Sequence, residues 1–174
     1  MPEGQEAIIN GTKRLAKGHS LYDFWLREWY GVDPTDGAPL FVQDPTIADT
    51  SATRTINGVK YTTNQNNANY AYVASAIPDL YGSINNTFRY KNLSLSTLFT
   101  YQIGGKVYDQ NYAILMSSYP QGQSLHKDIL NAWKNPGDIT DVPVLSTQNV
   151  NAAGAASSRW LEDADYFMLK SATL

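Results

Sequence analysis

The chain has 174 residues, 43% of them hydrophobic and 17% charged, which is enough apolar material for one domain with a sizeable core. A net charge of -3, with the 13 Lys and Arg scattered, lacks the basic stripe that phosphate binding requires, so no nucleic-acid partner is expected. There is no cysteine for a disulfide framework or thiolate metal site, and no apolar run long enough for a membrane-spanning helix. Residues 1–20 carry no signal-peptide core, so a secreted reading requires a further N-terminal part.

In chain order, Ala7 to Leu15 reads as a short strand, and Lys17-Gly18-His19-Ser20 as the turn that follows it. The run LYDFWLREWY alternates, with Tyr22, Phe24, Leu26 and Tyr30 opposite Asp23, Trp25, Arg27 and Trp29. In a soluble protein the two indoles belong to the core; in a barrel they line the lumen or mark the rim.

Gly31 to Gly37 is a Pro and Gly turn whose carboxylates, Asp33 and Asp36, only loosely resemble a calcium loop. A calcium site wants six or more oxygens, and the downstream bidentate carboxylate is out of register, so the turn reading is preferred. Leu40-Phe41-Val42 is a brief strand. Residues 44–69 read mostly as surface loop, with Ile56-Asn57-Gly58-Val59 as a tight hairpin signal.

The most ordered pattern lies between Ser83 and Gly104. Leu93, Leu95, Phe99, Tyr101 and Ile103 share one parity and Ser94, Ser96, Thr100 and Gln102 the other, with Leu98 the exception. Upstream, Ile84, Phe88 and Tyr90 oppose Ser83, Asn85, Thr87 and Arg89, and Tyr90-Lys91-Asn92 reverses the chain. The second strand keeps its pattern for about ten residues, the length a tilted strand needs to cross a bilayer. A soluble β-sandwich strand shows the same alternation, so both solvents fit the pattern.

After Gly105 the period changes. Tyr112, Leu115, Met116 and Tyr119 predict a short helix ending at Pro120; SLHKDILNAWK predicts a second, capped by Ser124, with Leu125, Ile129, Leu130 and Trp133 on one stripe. Both lie in a long insertion ending at Ser158, and Tyr166 to Leu174 resumes strand-like sequence. Catalytic constellations are thin. His19 and His126 lack metal-ligand spacing, and Glu162, Asp163 and Asp165 read as an exposed acidic loop or a partner for Arg159 rather than an acid–base pair. No nucleophile elbow, P-loop or dinucleotide fingerprint occurs, and neither metal nor cofactor is expected.

Four ordered blocks carry a resemblance: GHSLYDFWLREWYGVDPTDGAPLF (18–41), PDLYGSINNTFRYKNLSLSTLFTYQIGGKVYD (78–109), HKDILNAWKNPGDITDVP (126–143) and SRWLEDADYFMLKSATL (158–174). Together they resemble the C-terminal barrel region of SusC/RagA-family TonB-dependent outer-membrane transporters. The NPGD-x-TD-x-P and RWLED-x-x-Y stretches are the most specific, and residues 44–72 match loosely.

The resemblance implies an all-β fold. Residues 1–174 would be a segment of a transmembrane barrel of roughly 22 strands, with the two short helices in a long extracellular loop. The chain is expected to lack the plug, the TonB box and the signal peptide, and to stop before the terminal strands; its strands, about six or seven, fall short of the eight of a closed barrel. The implied function is glycan or peptide import across a Gram-negative outer membrane, with a SusD-like lipoprotein and TonB as partners and outer-membrane lipid as surroundings. The alternative is a soluble β-rich carbohydrate-binding module. Sidedness from turn length puts Lys17–Ser20 and Tyr90–Asn92 in the periplasm. Trp133 and Trp160, flat indoles in the long insertion, are the candidate ligand contacts.

Overall fold

The computed structural model describes residues 7–117, 122, 124–147 and 150–174. The chain opens with a hairpin, β1 (Ala7–Asn10) and β2 (Lys13–Ala16), where one strand is expected. The break is Gly11, whose φ of 59° lets the chain reverse within two residues.

β3 (Asp23–Arg27) follows the predicted alternation, with Phe24 and Leu26 buried, but in β4 (Trp29–Val32) it breaks at a register shift: Tyr30, expected on the apolar face, is exposed, and Trp29 packs against Phe41 instead. Glu28 separates them because its backbone serves two sheets: its N–H donates to Asn69 O at 3.0 Å and its carbonyl accepts from Val42 at 2.9 Å. β3 therefore stays with β1, β2 and β8 (Tyr70–Ser75), in the order β1-β2-β3-β8. β4 joins β5 (Pro39–Val42), β6 (Thr53–Ile56) and β7 (Val59–Thr62) in the order β4-β5-β7-β6. The region read as mostly surface loop thus contains half of a sheet. Asn57 and Gly58 turn β6 into β7 with φ of 51° and 82°, as the Asn-Gly signal predicts.

The long hairpin stands as read. β9 (Leu80–Tyr90) and β10 (Leu93–Ile103) pair antiparallel from Tyr90↔Leu93 to Leu80↔Ile103, and β13 (Tyr166–Thr173) pairs with the other edge of β10. The register puts Phe88 beside Leu95, and Ile84 and Leu169 on either side of Phe99, on one face. Thr87 lies beside Ser96 on the other, with their hydroxyls 3.2 Å apart. No residue of these three strands is buried.

Residues 28–69, with β4 to β7, leave the β3/β8 pair as a first excursion, and between β10 and β13 the chain makes a second. Its stem is the pair β11 (Lys106–Tyr108) and β12 (Leu161–Asp163). α1 (Gln110–Leu115), capped by Asp109, is the first expected helix; Tyr119 and Pro120, its predicted end, lie outside the described residues. The second expected helix is instead one 3-10 turn, Lys127–Asn131, capped by His126 rather than Ser124. It cannot continue, because Ala132 turns extended and Trp133 N–H leaves the ladder for Val142 O at 3.0 Å. A short helix α2 (Val150–Ala153) precedes the return.

Sidedness by turn length does not hold for both turns. Tyr22 O accepts from Ala76 N–H at 3.0 Å and His19 stacks on Tyr72, so Lys17–Ser20 lies at the Leu80/Ile103 end of the long hairpin. Lys91–Asn92 is at the opposite end; the second excursion leaves from the Leu80/Ile103 end, and the first from the Arg27/Tyr70 end of β3 and β8, beyond Lys17–Ser20. Strands of four or five residues, rising roughly 3.4 Å each, are too short to carry that turn across a bilayer.

Trp160 centres the second excursion's core with Ala113, Met116, Ile129, Ala132 and Val142. Trp160→Ala should cost about 3–5 kcal/mol of local stability. Hydrogen exchange of residues 109–116 and 127–133 should accelerate together, while that of β9 and β10 is unchanged.

Candidate functional site

The two excursions meet, and their junction is the most elaborated part of the molecule. Phe41 and Ala68 of the first pack on Ala155 of the second, with Trp29 alongside. Trp29 N–H donates to Ser158 Oγ at 3.0 Å, and Arg27 reaches Gln65 O with Nε (2.8 Å) and Ala156 O with a terminal nitrogen (3.3 Å).

Arg159 lies between two indoles, its guanidinium carbon 4.4 Å from the Trp160 ring and 4.9 Å from that of Trp29. One terminal nitrogen donates to Ala153 O at 3.1 Å. Burial lowers its pKa to about 10, against the opposing pull of Asp141, so the group remains a cation at neutral pH. The acidic cluster does not pair with it. Asp163 meets Lys106 at 2.6 Å, and Asp165 accepts from Gly104 N–H at 2.6 Å.

Trp133 is half-buried and closes a second contact between the excursions. Its Nε1 donates to Pro34 O at 3.1 Å, and its ring lies so close to Gly37 that an added Cβ would come within 2.6 Å of it. Gly137 N–H donates to the same Pro34 carbonyl at 2.7 Å, and Val144 N–H to Gly37 O at 2.9 Å. Asn135-Pro136-Gly137-Asp138 forms a tight turn, with Gly137 at φ 99° and Asp138 N–H on Asn135 O at 3.0 Å. The Asp138 carboxylate then accepts from the N–H groups of Lys134 (3.1 Å) and Asn135 (2.9 Å). That accounts for the residue types of the NPGD stretch without a ligand.

The two sequence candidates therefore differ. Trp160 is 0% exposed, and its Nε1 donates to Ala155 O at 3.0 Å. Its ring is walled by Tyr112 and Arg159. Trp133 keeps part of its surface in solvent but turns toward Gly37, away from the expected stripe, where Leu130 is 72% exposed. A shallow pocket of about 540 Å³ is lined by Leu130, Asn131, Lys134 and Ile139 among others, and Trp133 is not part of its lining.

Arg54 was not legible as a site residue. It grips Asp36 with two hydrogen bonds (2.8 and 2.6 Å) and also bonds Asp33. The guanidinium thus supplies the positive charge that a calcium ion would bring to this turn. The only sequence signal was the pair of carboxylates without a counter-charge. Among the described residues, no group of three or more His, Cys, Asp or Glu is placed to hold a metal.

An open wall of long antiparallel strands, with two excursions folded together at one end, is the architecture of a segment of a large β-barrel. Over 97% of its length the chain is similar to 18% of a chain in the RagAB peptide importer in its closed-closed state, with a TM-score of 0.71 and 22% identity. Over 99% it is similar to 18% of a chain in the RagAB peptide transporter, with a TM-score of 0.73 and 20% identity. In sequence it is similar to TonB-dependent receptor P39 of Formosa agariphila, 29% identical over 103 residues (59% of this chain, 10% of that protein). It is also similar to TonB-dependent receptor P3 of the same organism, 25% identical over 185 residues (98% of this chain, 17% of that protein). No protein-family model matches it. The chain thus spans a small part of the proteins it matches, and these likenesses bear out both the resemblance to SusC/RagA-type TonB-dependent receptors and the reading of an unclosed barrel segment.

The Arg54 clasp predicts a pH dependence. The Arg54 hydrogen bonds hold Asp36 below the usual carboxylate range; at Asp33 burial pushes the other way, but the Thr35 N–H and Arg54 outweigh it. Carboxylates held low stabilise the fold above their ordinary pKa, near 4, and lose that contribution as pH falls through the depressed value. Hydrogen exchange of residues 33–38 should therefore speed up below about pH 4. Arg54→Met should remove that acid step and cost about 1–3 kcal/mol of local stability at pH 7.

Proposed function

We propose that this chain is part of the barrel wall and mouth of an outer-membrane TonB-dependent transporter of the SusC/RagA type, in a Gram-negative bacterium. The transporter imports oligosaccharides or peptides with a SusD-like surface lipoprotein, using energy delivered through TonB. Residues 1–174 belong to the barrel domain and contribute wall and loops rather than catalysis. The naming of the similar solved structures as a peptide importer supports peptides as a substrate class beside glycans.

The observation that carries the reading is the three-stranded sheet β9, β10 and β13. One face presents Ile84, Phe88, Leu93, Leu95, Phe167 and Leu169, all exposed; the other presents mostly Ser, Thr, Asn and Gln side chains, with Tyr81, Arg89, Leu98, Tyr166 and Met168 among them. Eleven residues at about 3.4 Å each reach roughly 35 Å, which at a barrel strand's tilt spans an apolar band of about 25 Å. A soluble carbohydrate-binding module would cover such a face with a second layer. Among the described residues nothing buries these three strands.

In this reading the end bearing both excursions is extracellular, and Lys91–Asn92 is periplasmic. Trp133, half-exposed, is the remaining candidate for contact with imported material; Trp160, buried, acts through the shape of the loop it anchors.

Leu95→Arg should lower folding stability in lipid by about 2–4 kcal/mol, while Ser96→Arg, on the wet face, costs much less. Equal costs in lipid titrations would remove the lipid from that face. A surface label on whole cells should reach residues 134–141 and not Lys91.

A further inference from the structure

The indole-bearing face of β3 has a composition that neither the wall nor the junction explains. Across β2, β3 and β8, Arg14 lies over Trp25 at 4.4 Å, and Trp25 meets the edge of Tyr72 at 4.8 Å. Tyr72 is stacked by His19 at 3.6 Å, and Arg27 lies over Tyr70 at 4.8 Å. The sheet register builds this ladder, because Trp25↔Tyr72 and Arg27↔Tyr70 are cross-strand neighbours.

The two guanidiniums are not equivalent. Arg27 is spent on Gln65 and Ala156 carbonyls. The Arg14 side chain has ring contacts but no hydrogen bond or ion pair among the described residues. Stacking uses the flat face of a guanidinium and leaves its N–H donors, which lie in the plane, free at the edge. Arg14 is also fixed from behind, since the Tyr72 hydroxyl donates to its carbonyl at 3.2 Å. The nearby carboxylate, Asp23, is turned to Ser20 N–H at 3.0 Å and to His19. A pre-positioned, half-exposed fork with no counter-charge among these residues is built for two coplanar oxygens.

We propose that Arg14, on its platform of Trp25 and Tyr72, is a binding site for the carboxylate group of an imported solute. The neighbouring Tyr70 ring, 39% exposed, offers a surface for the sugar ring or side chain that carries it. The inference rests on the transporter reading and deepens it. The cluster lies by the Lys17–Ser20 turn, at the Leu80/Ile103 end of the long hairpin, which the transporter reading makes extracellular.

The test uses the full-length receptor in detergent, titrated by calorimetry with a uronic acid disaccharide, its neutral counterpart and an acidic dipeptide. One of the two carboxylates should bind, which also says whether sugar or peptide is its source, and the neutral sugar should not. Arg14→Gln and Arg14→Lys should each weaken that binding at least tenfold, because a point charge cannot replace the fork, while Lys91→Gln at the far turn leaves it unchanged. Binding of neither carboxylate, equal binding by the Arg14 variants, or loss only of co-purifying anionic lipid phosphate from Arg14→Gln would overturn the assignment; the last would give the fork to a lipid headgroup. Membrane insertion and heat-modifiable migration of the same preparations report separately on whether the receptor is a barrel at all.

Discussion

A cation between two indoles joins the halves of this molecule. Arg159 stands 4.4 Å from Trp160, at the centre of the second excursion, and 4.9 Å from Trp29, at the root of the first. Desolvating a guanidinium is costly unless its faces and edges are both used, and here the faces take rings and one edge takes the Ala153 carbonyl. Ser158, one residue before, ties Trp29 backbone, and Ser157, one earlier, bridges Arg27. Four consecutive residues thereby fix where the second excursion lands on the first. The Trp133–Gly37 contact and the Arg54 clasp rigidify surfaces already brought together.

That junction has a mechanical consequence. The wall strands have no core of their own, while the excursions have two small cores that share no residue with β9, β10 or β13. Stability is therefore divided. The loops hold their shape by water-excluded packing at one end, and the wall depends on what surrounds it and on its strand pairing. Loop variants should leave the wall's registers intact, and wall variants should leave the junction intact, because cooperative units follow packing contacts.

What was legible in the sequence follows the same division. Period-two alternation gave β9 and β10 to within three residues at each end, since no tertiary contact competes with the local pattern there. The Asn57-Gly58 turn and the burial of Phe24 and Leu26 were equally local. The excursions were harder. Gly11 looked like one residue in a strand rather than a reversal, and the Leu125–Trp133 stripe looked helical because apolar spacing says nothing about the carbonyls that capture Trp133 and Gly137 from across the chain. Arg54, Arg159 and Arg14 were invisible as site residues for one reason. Each is defined by partners that other strands or excursions supply: Asp33 and Asp36, Trp29, or Trp25 and Tyr72. Of the two indoles singled out, Trp160 proved to be the buried centre of its loop, which a sequence cannot distinguish from an exposed ring.

The central claim is that the apolar face of β10 meets lipid and its hydroxyl face meets water. The segment has no cysteine of its own, so single spin labels can be placed at each position from 93 to 103 in the full-length receptor reconstituted in bilayers. Relaxation by oxygen should peak at 93, 95, 99, 101 and 103, and relaxation by a water-soluble nickel chelate at 94, 96, 100 and 102. Accessibility to the nickel chelate at both parities, or exclusion of both reagents from the odd positions, would contradict a lipid-facing wall.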